Sequence, residues 1–231
     1  MKKIIAIHQP NYLPWIGFFD KISKSDIFVI YDTAQYVKKS VCNKNFIKGP
    51  SGKLPLIVPV KISEGWDKPI NEMRIDNSQN WALKHFKTLQ MCYNKSPYFK
   101  EFYYEFFDFV YNKKWEFLGE LNIFLIKELL KFLDIKTKVF LASDINVKGK
   151  GSEYNLNVCK AFNATIYLSG IGAKQYNDPT SFEENGIKLM YNEFKPFVYP
   201  QLFGEFIPYL SICDLLFNIG PESKKYFKHP K

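Results

Sequence analysis

Between Lys3 and Tyr31 apolar runs and amphipathic stripes alternate. Ile4-Ile5-Ala6-Ile7 is a continuous apolar run that ends abruptly in His8-Gln9-Pro10-Asn11, and such a run bounded by turn residues predicts a short buried strand over Lys3 to Ile7. Pro14 suits the first turn of a helix. Trp15, Phe18, Phe19 and Ile22 then recur at i, i+3, i+4 and i+7, so an amphipathic helix is expected to run to about Ser23. Ile27 to Tyr31 is a second β-rich apolar run. Strand, loop, helix and strand in this space make up a βαβ unit, which predicts a parallel sheet with helices packed on it.

From Asp32 to Lys48 the chain turns polar and basic and reads as a loop. Leu56, Ile57, Val58, Val60 and Ile62 form a β-branched stretch within Pro55 to Ile62, with Pro59 at an edge or bulge position. Residues 63–80 predict a loop and a short strand. Asn80 is placed to cap a helix starting at Trp81, Ser96 another starting at Pro97, and Lys114 to Leu133 carries Trp115, Leu118, Leu121, Leu125, Leu129 and Phe132 on one stripe. A mainly helical segment over about 80–134 follows from these patterns. Strands at Val139 to Ala142 and Thr165 to Ser169, with a helix from about Ser152 to Phe162 between them, resume the alternation. Lys188 to Glu193 predicts a last strand, and Ile207 to Ile219 a last amphipathic helix stopped by Gly220-Pro221. The expectation is a single α/β domain over 1–231, its parallel or mixed sheet flanked by helices, with a helical insertion in the middle third and no internal repeat.

Composition supports a folded chain: 231 residues with 46% hydrophobic and 18% aromatic content can build a core without a metal or a disulfide. The same aromatic abundance would also suit a homodimer surface. The formal charge of +9, from 32 basic against 23 acidic residues, first suggests nucleic acid. Arg74 is the one arginine, however, and lysine cannot make the bidentate contacts that read guanine, so sequence-specific nucleic-acid binding is not expected. What remains for the lysines is background charge or attraction of a phosphorylated or acidic small substrate. Cys42, Cys92, Cys159 and Cys213 show no CxxC spacing, and with His8, His85 and His229 they draw no zinc pattern, so neither a metal nor another cofactor is expected. The first apolar run is cut off by His8 and Gln9, too soon for a signal peptide, and no later run reaches membrane-spanning length. A cytoplasmic protein with free thiols and no membrane span is the expectation.

Several strings carry candidate chemistry. His8-Gln9-Pro10-Asn11-Tyr12-Leu13-Pro14-Trp15 lies between strand and helix, where open parallel sheets bind ligands, although His8 and Asn11 could simply satisfy backbone groups in a turn. Asp32-Thr33-Ala34-Gln35-Tyr36-Val37-Lys38-Lys39-Ser40 follows the second strand and is expected beside the first loop. There Asp32 would act as a base or orient a cation, Gln35 would bind an amide or hydroxyl, and Lys38, Lys39 and Lys48 would neutralise phosphate. His85 shares a helical face with Trp81, Leu89 and Cys92, as a proton-transfer group or as a core histidine. Tyr167-Leu168-Ser169-Gly170-Ile171-Gly172 runs from a strand into a glycine-bearing turn without Walker or Rossmann spacing. Ser211, Asp214 and Asn218 form a polar stripe on an otherwise apolar helix, to be paired by the fold or by a ligand.

Taken together these strings resemble the WbqC-like family of bacterial glycan-biosynthesis proteins. The resemblance rests on the His8 to Trp15 string with Asp20-Lys21, on Ser25-Asp26 through Asp32, Gln35-Tyr36-Val37-Lys38, Asn43 and Asn45, Trp81 with His85, Tyr167 to Gly170, Tyr199 with Gln201, and Ser211 through Gly220. Lys44 departs from the pattern, since such proteins more often carry an arginine there. The resemblance implies a transferase acting near O-antigen or other lipopolysaccharide glycans, placing an aminoacyl or acyl group on the amine of a nucleotide-linked amino sugar. Its partners would be that sugar and an activated aminoacyl or acyl donor. His8, His85 and Asp32 are then the candidate catalytic residues. Gln9, Asn11, Tyr12, Trp15, Gln35, Lys38, Asn43, Asn45, Lys48, Ser169, Gly170, Tyr199, Gln201, Ser211 and Asp214 are candidates for substrate binding. The opening βαβ unit with a histidine after its first strand also looks loosely like the nucleotidylyltransferase superfamily, with Asn11 in place of that motif's second histidine. Two other readings follow: an ATP-dependent adenylyl-transfer or ligase-type enzyme, and a non-catalytic sugar-nucleotide binding module.

Overall fold

The computed structural model describes residues 2–38 and 40–228; Lys39 and His229 lie outside them. The strands β1 (Ile4–His8), β2 (Ile27–Ile30), β5 (Lys138–Leu141), β6 (Ile166–Gly170) and β7 (Lys188–Asn192) form one sheet in the order β5-β2-β1-β6-β7, every pairing parallel. A parallel sheet is buried on both faces, which is why these strands are continuous apolar runs. Ile5, Ile7, Ile27, Val29 and Tyr167 pack to one side with α5 (Gly151–Ala161) and α6 (Pro179–Glu184). Ala6, Phe28, Ile30 and Leu168 point to the other, into a larger core built by α1 (Ile16–Ser23), α2 (Trp81–Tyr93), α3 (Tyr104–Asn112), α4 (Leu118–Phe132) and α7 (Ile212–Ile219). The α/β class, the flanking helices and the helical middle third are thus as the sequence patterns predict.

The differences are local. The segment read as a basic loop contains β3 (Lys44–Gly49), which pairs antiparallel with β4 (Gly52–Ile57) in a separate two-stranded ribbon. The β4 strand therefore starts before Pro55 and ends at Ile57, and Pro55 itself faces Phe46 across the ribbon. Residues 63–80 hold short helical turns and isolated bridges instead of a strand. The helix expected from Lys114 begins at Leu118, since Trp115 precedes it, and α7 begins at Ile212 with Ser211 as its cap. Pro97 starts no regular helix; a π-helical turn at Phe99–Tyr103 leads into α3.

Candidate active site

From β1 the chain moves outward to β2 and β5, then returns to place β6 on the other side of β1. Strand order reverses between β1 and β6, and the crevice beyond the carboxyl ends of such a pair is where open α/β sheets bind ligands. His8 and Gln9 rise from one strand, Ser169 and Gly170 from the other. Two cavities open there. One, of about 380 Å³, is lined by His8, Gln9, Tyr31, Asn155, Ser169 and Tyr176 among others. The second, of about 310 Å³, is lined by His8, Trp15, Lys21, Asn192, Phe194 and Tyr209 among others. His8, Gly170 and Gly172 border both.

At this junction the His8 ring is oriented by its own loop: Nδ1 donates to the Gln9 carbonyl at 3.0 Å, which leaves Nε2 as a bare acceptor. Phe18 meets the ring edge-on at 5.1 Å. Burial, helped by the nearby Lys21 charge, lowers the His8 pKa to about 3, so the ring is neutral. The Trp15 indole lies over Gly17, where a Cβ would stand 2.1 Å from the ring, and it meets Phe194 at 5.5 Å and Tyr209 at 5.7 Å. Tyr209 holds this place with φ 62°, a conformation costly for a residue with a Cβ. Opposite, Tyr31 stacks on Tyr154 at 4.3 Å, and Ser169 Oγ accepts from Asn177 Nδ2 at 3.0 Å.

Other residues of the first loop face inward. Asn45 Nδ2 donates to the carbonyl of Leu13 at 2.7 Å, holding that residue at φ 41°, and Asn122 Nδ2 donates to Pro10 O at 2.9 Å and Cys42 O at 2.7 Å. Asn11 is buried, and Asn43 Nδ2 donates to Val58 O at 2.9 Å. Tyr12 lies beneath the loop, its hydroxyl 2.9 Å from His85 Nδ1 and 2.7 Å from the Tyr111 hydroxyl. The Ile57 N–H donates to His85 Nε2 at 3.1 Å, so both ring nitrogens are engaged. Burial lowers the His85 pKa to about 4.

Three groups lie apart from the crevice. Asp32 is buried and accepts from the Ser143 N–H at 3.0 Å and the Ser143 hydroxyl at 2.7 Å, which ties the end of β2 to the turn after β5. Gln35 and Lys38 are exposed, and Lys38 Nζ lies 4.9 Å over the Trp66 ring. Asp214 receives hydrogen bonds from Tyr93 at 2.7 Å and from Tyr199 and Gln201 at 2.8 Å each, while Lys48 Nζ donates to the carbonyls of Gly204 and Glu205. Burial raises the Asp214 pKa. Ser211 caps α7. Thus the segment ending at Lys48 does meet the segment after Tyr199, in a closed polar network instead of an open cleft.

Sequence reasoning placed His8, Gln9, Trp15, Ser169 and Gly170 where the crevice is. It assigned no role to Lys21, Tyr31, Asn155, Asn192 or Tyr209. The available signal was adjacency to strand ends for Tyr31 and Asn192, and for Lys21 its place in the Asp20-Lys21 pair that follows the first string.

The sequence pattern of the WbqC-like protein family matches residues 9–226, nearly the whole described chain. The chain belongs to the WbqC-like protein family. An uncharacterized protein of Mycobacterium tuberculosis is similar to it, with 34% identity over 230 residues, 99% of each chain. No solved structure matches. The family match spans both walls of the crevice, from Gln9 on one strand end to Gly170 on the other and on to Tyr209. Among the described residues no helix is long and apolar enough to cross a membrane.

Proposed function

We propose that this WbqC-like protein is a cytoplasmic transferase of surface-polysaccharide biosynthesis that adds an aminoacyl or acyl group to the amine of a nucleotide-linked amino sugar. The observation that supports this reading is that two cavities share His8 as a lining residue, whose Nδ1 is taken by the Gln9 carbonyl and whose Nε2 is left as an acceptor. A reaction between two ligands needs them to meet at a shared proton acceptor, and aromatic walls on each side suit a base and a sugar ring. In this reading the sugar amine attacks the donor carbonyl carbon. The new C–N bond forms, the bond from that carbon to a thiol or alcohol leaving group breaks, and the amine proton passes to His8 Nε2 and then to the leaving group.

Asp32 and His85, candidates for orienting group and base, act here through the fold. Each has its polar atoms engaged by protein partners. Tyr12 and Asn45 likewise shape the loop that carries His8, Asn43 ties to Val58, and Gln9, Trp15, Ser169 and Gly170 are the candidate substrate contacts.

Purified protein mixed with a panel of nucleotide-linked amino sugars and aminoacyl or acyl thioesters, read by mass spectrometry, tests the reading. The expected product is the N-acylated sugar nucleotide with release of free thiol, and His8→Ala in a folded protein should slow transfer about 10²- to 10⁴-fold. Undiminished transfer by that variant would remove His8 from the mechanism. The strand order, with His8 at the end of β1, also favours an ATP-dependent adenylyl-transfer or ligase-type enzyme. Thermal stabilisation by ATP and its consumption during turnover would support that alternative. Binding of a sugar nucleotide without turnover of any donor would instead indicate a binding module.

A further inference from the structure

Lys21 lines the cavity of Trp15, Phe194 and Tyr209, yet the residue as a whole is only 3% exposed. Its ammonium donates to the carbonyl of Ile7, at the end of β1, at 3.1 Å. An ammonium carries three protons, and Ile7 accounts for one. Among the described residues Lys21 forms no ion pair with a carboxylate. The acid beside it in sequence, Asp20, is taken by Lys24 at 2.6 Å and by Asn192 Nδ2 at 3.0 Å. The other titratable groups around this cavity are His8 at the end of β1, Tyr209 on the loop before α7, Asp20 on α1 itself and Lys24 just after it. A buried cation without an opposite charge is expensive unless something supplies one.

We infer that Lys21 is the anion receptor of the Trp15 cavity, holding a phosphate or carboxylate group of a ligand as the counter-charge that none of the described residues provides. The inference rests on the proposed function only in placing an anionic part of a substrate on that side of His8. Lys21 is itself almost fully buried, so an ion pair formed at its ammonium is weakly screened. Burial already draws the Lys21 pKa down from 10.5 to about 7, and an anion alongside would draw it back up. Anion binding near neutral pH must therefore take up a proton. Lys38 and Lys48, the lysines first expected to meet phosphate, lie at Trp66 and against backbone carbonyls.

Isothermal titration calorimetry with two probes, inorganic pyrophosphate and acetate, tests this on the full chain and on Lys21→Met. Runs in two buffers of different ionisation enthalpy measure proton uptake. The wild type should bind at least one probe with uptake of about half to one proton at pH 7.5. His8, with its pKa near 3, remains neutral at that pH. Affinity should be flat below pH 7 and fall by up to about tenfold per unit above it, as the free protein loses the Lys21 proton. Lys21→Met should weaken binding at least about tenfold at pH 6.5 and abolish the uptake. The variant loses a buried charge, and a melting curve verifies its fold; Lys21→Arg provides a second measurement with the charge retained. Equal affinity and equal uptake in wild type and Lys21→Met would overturn the inference, as would failure of the wild type to bind either probe. Neither result touches the transfer assay, whose outcome judges the proposed reaction separately.

Discussion

The backbone N–H of Ile57 reaches His85 Nε2 at 3.1 Å, which commits that nitrogen to accepting and leaves the ring proton on Nδ1 for the Tyr12 hydroxyl. Tyr12 can then donate to Tyr111, so the whole buried chain is satisfied with a neutral ring. A second proton would have to displace the Ile57 contact. The folded pKa of about 4 lies below the unfolded value of 6.5, so the unfolded chain binds protons in this window before the folded one does. The stability that His85 contributes is therefore present above pH 6.5 and is lost as pH falls through 4, by roughly 3 kcal/mol in all. Urea denaturation at pH 7.0 and 4.5 should show His85→Gln losing less stability on acidification than the wild type, by about 2 kcal/mol. Identical acid sensitivity in the two proteins would count against this account. Lys21 runs the same way in a higher window, because its depressed pKa makes its burial least favourable below pH 7 and relieves that cost as pH rises toward 10.5. His8 was legible in the sequence because it ends an apolar run. The burial of Lys21 was not, since a lysine beside Phe18 and Ile22 on an amphipathic helix reads as a solvated position until β1 is laid across it.

Trp15 precedes α1, bridges to Ser211, and covers the face of the helix at Gly17. A methyl group at Gly17 would stand 2.1 Å from the indole, so one of the two must move. Gly17→Ala should cost about 1–3 kcal/mol in thermal or denaturant unfolding and swing Trp15 away from the cavity wall. In the transfer assay the expected signature is a KM for the sugar nucleotide raised about tenfold or more. A variant with the stability loss but an unchanged KM would show that Trp15 shapes the helix and not the ligand site. The amphipathic stripe of α1 was readable from its spacing, and the same rule found most helices and all five strands of the sheet. The ribbon of β3 and β4 was half missed because Lys44, Asn45 and Lys48 look like loop residues. Asn45 and Lys48 donate to carbonyls of distant segments, which no local pattern records, and Lys44 Nζ lies 5.4 Å over the Phe46 ring.

Asp214 joins parts of the chain far apart in sequence: Tyr93 on α2 lies 121 positions away, and Tyr199 and Gln201 belong to the loop that leads back to α7. The Tyr93 hydroxyl also accepts from the Lys48 N–H at 3.0 Å, which brings the ribbon into the same network. Asp214→Ala would leave the buried Tyr93 and Tyr199 hydroxyls without their acceptor and strip Gln201 of one, and a loss of about 3–5 kcal/mol in chemical denaturation is expected, well above that of a surface Asp→Ala change. A loss under about 1 kcal/mol would mean that water replaces the carboxylate. At this scale the +9 charge has little to do with the fold, since the buried lysines Lys21 and Lys48 are met by backbone carbonyls. By itself the sequence determined the α/β alternation, the parallel sheet, and a histidine placed at the end of the first strand. Those follow from continuous apolar runs bounded by turn residues and from the 3.6-residue helical spacing, which are local properties of the chain. Only the tertiary structure decided which polar residues open onto the crevice and which close on each other. Many of their partners lie far off in sequence, His85 at 73 positions from Tyr12 and Ser143 at 111 from Asp32, and a polar side chain carries no mark of whether its hydrogen bonds will be met by water, by the protein or by a ligand.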